Sequence, residues 1–179
     1  MQIFMILIIK FGICQVFINF QNPNQPIQYM INVLYIDDEP HNLISFRASF
    51  RRDFLVFTAE SADEGKKILE LNDMHVILSD QRMPKVTGIE FFESILQAYP
   101  DPIRILITGY TDINAVVDAI NRGQVYKYLT KPWSENDIIN SIEKAFEVYK
   151  LRKENKELTN KLIYANQKLE FLARQNLLS

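Results

Sequence analysis

The chain has 179 residues, enough for one well-filled core with an appendage and too few for two ordinary domains with separate cores. An apolar share of 47% against 23% charged residues excludes disorder throughout. With 20 Lys and Arg against 22 Asp and Glu, no overall field draws the chain onto nucleic acid or an anionic membrane. The lone Cys14 excludes an intramolecular disulfide and a thiolate zinc site, so a reducing, cytoplasmic location is expected.

In chain order, the first feature is an apolar run, Ile3 to Ile9, resumed after Lys10 by Phe11 to Phe20. No positive charge precedes it and no small-residue cleavage site follows. Lys10, Gln15 and Asn19 fall within a stretch barely long enough to cross a bilayer. A membrane anchor is therefore the lesser reading. The favoured one takes Met30 as the start and residues 1–30 as an apolar extension, non-native or poorly ordered, that ends in the breaker cluster Asn22-Pro23-Asn24-Gln25-Pro26.

From Ile31 onward short apolar runs alternate with longer amphipathic ones, the pattern of a parallel α/β sheet. Strands are expected at Asn32 to Ile36, Leu55 to Ala59, His75 to Ser79, Ile103 to Ile107 and Tyr126 to Leu129. Their Val, Ile, Leu and aromatic content suits burial on both faces. Helices are expected at Pro40 to Phe50, which opens on Pro, and after the capping box Ser61-Ala62-Asp63-Glu64 through Glu70. Two more follow at Gly88 to Ala98 and Asp112 to Asn121, the latter closed by Gly123.

A fifth helix starts with Ser134 as N-cap and Glu135 and Asp137 in its first turn, and no Pro or Gly interrupts it to the end of the chain. Leu151, Asn155, Leu158, Leu162, Ala165, Leu169, Leu172 and Asn176 follow steps of four and three, a coiled-coil seam. Asn155 and Asn176 fall at a positions when Leu158 and Leu172 are d, which favours a parallel homodimer in register through residues 151–178. The rival reading is a single amphipathic helix that folds back or docks on a partner. Lys150, Arg152, Lys153 and Lys156 are interleaved with Glu154 and Glu157, and no helix-turn-helix follows, so nucleic acid is not expected as a partner.

The chemistry gathers where ligands bind in an open parallel sheet, beyond the carboxyl ends of the strands. Strand one ends in Asp37-Asp38-Glu39, strand three in Asp80, strand four in Thr108 and strand five in Thr130-Lys131-Pro132. Clustered carboxylates repel unless a hard cation joins them, and Mg2+ takes oxygen ligands. Asp37, Asp38 and Asp80 supply the anionic side, while Lys131 and the Thr108 hydroxyl can neutralise a transferring phosphoryl group. Any one of Asp37, Asp80 or Thr108 alone would read as a helix cap; together they read as a magnesium and phosphoryl site. His41 and His75 lack a paired ligand motif and receive no role. Gly-rich phosphate loops are absent, so no nucleotide cofactor is expected.

Four segments in register, Val33-Leu34-Tyr35-Ile36-Asp37-Asp38-Glu39-Pro40, Ser79-Asp80-Gln81-Arg82-Met83-Pro84 with Gly88, Ile107-Thr108-Gly109-Tyr110 and Tyr128-Leu129-Thr130-Lys131-Pro132-Trp133, resemble the receiver domain of two-component response regulators. The resemblance covers Asn32 to Tyr149. It implies an α/β, doubly wound, five-stranded parallel sheet of flavodoxin-like order 2-1-3-4-5 over residues 31–149, followed by an extended helix or coiled coil over 150–179. It further implies Asp80 as phosphoacceptor, Asp38 as direct Mg2+ ligand, Asp37 as a ligand through water, the backbone carbonyl of Arg82 as another, and Lys131 on the phosphoryl group. Thr108 and Tyr128 would form a switch acting on the face of helix four, strand five and helix five. The Lys131-Pro132 bond would be cis, and Arg82 and Tyr110 would tune phosphoryl lifetime.

The function expected is that of a signalling domain rather than an enzyme with metabolite turnover, phosphorylated by a sensor histidine kinase or phosphotransfer protein. Two alternatives stand beside it. One is a dimerisation scaffold independent of phosphate. The other is a dehalogenase-like, Mg2+-dependent phosphatase, whose D-x-D motif would belong at strand one.

Overall fold

The computed structural model describes residues 30–109, 117 and 125–176. The apolar extension, Tyr110, the predicted helix Asp112–Asn121 (Val117 excepted), Gly123 and the side chain of Asn176 lie outside the described residues. The elements run β1 (Ile31–Ile36), α1 (Pro40–Phe50), β2 (Phe54–Ala59), α2 (Ala62–Leu71), β3 (Val76–Asp80), α3 (Gly88–Ile95), β4 (Ile103–Thr108), β5 (Lys127–Thr130) and a C-terminal helix (Glu135–Asn176). All four strand pairings are parallel, and the sheet order is β2-β1-β3-β4-β5, as expected.

Successive strand residues point to opposite faces, and each face is covered by helices. Val33 and Tyr35 of β1, Leu78 of β3 and Ile105 and Ile107 of β4 pack with Phe46 and Phe50 of α1 and with Ile138, Ile142, Ala145 and Tyr149 of the C-terminal helix. Leu34, Ile36, Ile77 and Leu106 face the other way, against Leu69 of α2 and Phe91, Phe92 and Ile95 of α3. Burial on both faces is why these strands carry no polar alternation.

Strand boundaries differ from expectation by about one residue. β3 reaches Asp80 and β4 reaches Thr108, because Asp80 still pairs with Ile107 and Thr108 with Thr130. Asp80 and Thr108 are thus the last rungs of the sheet rather than the first residues of loops, whereas Asp37 and Lys131 directly follow β1 and β5. The regular part of α3 ends at Ile95, where the Leu96 N–H turns to the Glu93 carbonyl, a tightened last turn. At α2, Ser61 accepts from the Glu64 N–H as predicted, but Glu64 takes the N–H of Glu60 instead of that of Ser61. A complete capping box is at Thr87 and Glu90, opening α3.

Ser134 caps the C-terminal helix by accepting from the Asp137 N–H at 3.1 Å. This helix has 42 residues, about 63 Å at 1.5 Å per residue. Ile138, Ile142, Ala145 and Tyr149 bury one stripe of its first turns. Asp101 beyond α3 then pairs with Lys153 and Lys156. From Glu154 to Gln175 every residue is exposed. Among the described residues no helix is long and apolar enough to cross a membrane.

Candidate functional site

β1 and β3 are adjacent, yet the chain leaves β1 towards β2 on one side and returns as β3 on the other. A crevice opens at such a reversal, outside the carboxyl ends of the strands. Backbone ladders continue past the strand ends and locate the site residues. The Asp37 N–H bonds the Ala59 carbonyl at 3.2 Å, the Gln81 N–H bonds Ile107 at 2.8 Å, and the Lys131 N–H bonds Thr108 at 2.9 Å. The Lys131–Pro132 peptide is cis, as the resemblance implies.

Lys131 lies at the centre. Its ammonium contacts Asp80 Oδ1 at 2.5 Å and Asp37 Oδ2 at 3.0 Å, bringing together residues from three strand ends. Asp80 Oδ2 accepts from the Arg82 N–H at 2.6 Å. Asp37 is 1% exposed and holds more partners than any spacing argument suggested. Its Oδ1 accepts from the Glu39 N–H and Asn42 Nδ2, each at 3.0 Å, and its Oδ2 accepts from the Tyr35 hydroxyl at 2.5 Å and from Asn42 Nδ2 at 3.1 Å.

These contacts set the charges. Burial pushes the Asp80 carboxyl above the usual carboxylate range, with Lys131 and the Arg82 N–H working against it and Asp37 reinforcing it. Burial would do the same to Asp37, but the donors on it, Tyr35, Asn42, the Glu39 N–H and Lys131, outweigh burial and hold it below that range. Lys131 is held above the ordinary lysine value, because its two carboxylate partners overcome its own burial.

The remaining predicted residues are placed less tightly. Asp38 is half-buried beside Asp37. Thr108, 1% exposed, donates its hydroxyl to the Gly109 carbonyl at 3.1 Å, along its own strand end rather than towards Asp80. Tyr128 is half-buried and packs at the edge of the core on the α2 and α3 face. Tyr35 and Asn42 went unrecognised in the sequence. A signal for Tyr35 existed, since residues two apart on a strand share a face.

The donor set consists of hard oxygens, and two buried carboxylates already share one cation, the Lys131 ammonium. That chemistry fits Mg2+. The expected cluster of Asp37, Asp38 and Asp80 is nevertheless not drawn into a ready three-carboxylate cage, and no such group occurs among the described residues. In the contacts the Lys131 ammonium lies between Asp37 and Asp80, and its single positive charge balances only one of the two carboxylates.

Residues 33–143 match the model of the response regulator receiver domain. Over 122 residues the chain is 34% identical to the hydrogenase transcriptional regulatory protein HoxA of Bradyrhizobium diazoefficiens, covering 68% of this chain and 25% of that protein. It is 37% identical over 120 residues to HoxA of Cupriavidus necator, covering 67% and 25%. The chain thus spans about a quarter of the length of the curated relatives it matches. Among solved structures, a receiver domain protein from Clostridium thermocellum aligns with a TM-score of 0.64 at 30% identity, covering 68% of this chain and 98% of that one. A chain described as adenylate cyclase from Rhodopirellula baltica aligns at 0.72 and 30%, covering 74% and 98%. Sheet order, family match and relatives agree: this chain belongs to the response regulator receiver domains of two-component systems, signalling domains whose general function is to accept a phosphoryl group.

Proposed function

We propose that Asp80 accepts a phosphoryl group from the phosphohistidine of a sensor kinase or phosphotransfer protein. The observation that carries this is the Lys131 ammonium, held between Asp80 and Asp37 at the carboxyl ends of β3 and β1. One Asp80 oxygen attacks phosphorus, the P–N bond to the donor imidazole breaks, and its electron pair returns to that nitrogen. An acyl phosphate remains on Asp80. Lys131 stands where charge grows on the phosphoryl oxygens. Asp37, Asp38, Asp80 and the Arg82 carbonyl would hold Mg2+, which when bound neutralises the opposite side of the phosphoryl group.

Once phosphorylated, Asp80 competes for the Thr108 hydroxyl, now spent on Gly109. Its rotation makes room for the Tyr128 ring and reshapes the face bordering β5 and the C-terminal helix. The exposed seam from Leu151 to Leu172 pairs with a second copy as a parallel coiled coil over residues 151–178 and carries the output. A strand-one nucleophile, as the phosphatase alternative needs, is disfavoured by the five donor contacts on Asp37.

The experiment is intact mass of the full chain and of Asp80→Asn, with and without acetyl phosphate and Mg2+, each followed by sizing. The expected result is one added phosphoryl group only with Asp80 present, accompanied by a change in assembly. No gain with any donor overturns the phosphoacceptor reading in favour of the scaffold, and a gain without a size change separates the tail from the site.

A further inference from the structure

Tyr35 is fully buried, and a buried phenol needs a partner for its hydroxyl. It finds Asp37 Oδ2, at 2.5 Å. The oxygen that takes this bond is the one that contacts Lys131 at 3.0 Å. The ring is located by packing rather than by the site. It stacks on Phe46 with centroids 4.3 Å apart. Phe46 in turn lies 4.6 Å from Phe50 and 6.1 Å from Trp133. The phenol oxygen is therefore placed by the aromatic core beneath α1. A strand could fill this core position with any large apolar side chain; the tyrosine adds a hydroxyl donor that reaches the acidic edge.

We infer that Tyr35 is a positioning residue of the phosphoacceptor site, holding the Asp37 carboxylate in the orientation from which it serves Lys131 and a hydrated Mg2+. This rests on the reading of Asp80, Asp37 and Lys131 given above and adds a residue to it. Asn42 and the Glu39 N–H fix the other side of the same carboxylate, so that without Tyr35 the Oδ2 atom keeps Asn42 and Lys131 as its only holders. Outer partners that orient metal-binding carboxylates typically govern affinity by a factor of ten or more.

The test uses the full chain with Tyr35→Phe, which keeps the ring and deletes the hydroxyl, together with Asp37→Asn and the double variant. Mg2+ affinity is measured by calorimetry, and the rate of Asp80 phosphorylation by acetyl phosphate is measured by intact mass. Expected is an affinity about tenfold weaker in Tyr35→Phe, a slower phosphorylation rate, and no further loss when Tyr35→Phe is added to Asp37→Asn. Equal affinity and rate in Tyr35→Phe and wild type overturn the role of Tyr35 alone, as does an undiminished loss in the Asp37→Asn background. A wild-type chain that neither binds Mg2+ nor takes a phosphoryl group overturns the reading of the site and the role of Tyr35 with it. Should Tyr35→Phe fail to fold, Asn42→Ala, which removes a donor to the same carboxylate from the half-buried start of α1, must show the same affinity loss and the same absence of effect with Asp37→Asn.

Discussion

Gly88 shows how one missing side chain protects the site. A Cβ there would lie 2.4 Å from the Asp80 carbonyl oxygen and 2.8 Å from Leu106 Cδ1, and the oxygen belongs to a strand backbone that has no freedom to retreat. Gly88→Ala is expected to cost about 2 kcal/mol in urea unfolding, as overpacking does, and to slow phosphorylation by displacing Asp80. His75 illustrates a different residue-scale constraint. It is 2% exposed, accepts the Asn32 N–H through Nδ1 at 2.8 Å, and meets the rings of Phe146 and Tyr149 at 4.9 and 5.0 Å. Burial, aided by Lys153 and opposed by Asp73, pushes it down from 6.5 to about 4. Between those values the unfolded chain binds a proton that the folded chain refuses, so stability falls as pH drops through that window and levels off below about 4. The loss is on the order of 3 kcal/mol. Urea midpoints at pH 7 and pH 4.5 should show it, and His75→Gln, which keeps an acceptor without the titration, should flatten the slope.

At the scale of elements, the C-terminal helix changes its apolar face midway. Ile138, Ile142, Ala145 and Tyr149 dock on the sheet, whereas the seam runs through Leu151, Asn155, Leu158 and Leu162. Continuing the docking stripe in sevens would require 152, 156 and 159, so the seam is displaced by one residue, about 100° around the helix. It therefore emerges beside the receiver-facing stripe. Leu151, Leu158 and Leu162 are 65%, 57% and 62% exposed, a surface that a partner helix would cover. A lone exposed segment of this kind is marginal in water, which leads to a concentration-dependent expectation. Leu162→Glu should abolish the larger species in sizing and reduce helicity, while Asn155→Leu should raise thermal stability and loosen the choice of oligomer. Identical elution of all three proteins would leave the seam without a second copy.

For the molecule as a whole, Lys131 is the member that ties the edge of the sheet together across 94 residues of sequence. Replacing it with Met leaves Asp37 and Asp80 facing one another with less compensation. The expected cost is about 2 kcal/mol, moderated by the third of its surface that already meets solvent. Mg2+ added to Lys131→Met should recover more stability than it gives wild type, because the ion no longer competes with an ammonium; thermal melts with and without the metal measure this. The alternation of strands and helices, the two-faced core and the placing of Asp37, Asp80, Thr108 and Lys131 at one edge were determined by the sequence alone, while the order of strands was implied by the resemblance to receiver domains and is seen in the sheet. Periodicity names the elements, and parallel topology sends every strand's carboxyl end to the same side. The hold of Tyr35 and Asn42 on Asp37, the contact of Lys131 with two carboxylates at once, and the need for glycine at 88 were decided only by tertiary structure. Each depends on where a side chain ends in space after the sheet has closed, and local spacing carries no record of that distance. The same reason accounts for β3 and β4 ending one residue later than their apolar runs: the last rung is set by a neighbouring strand, not by the residue that makes it.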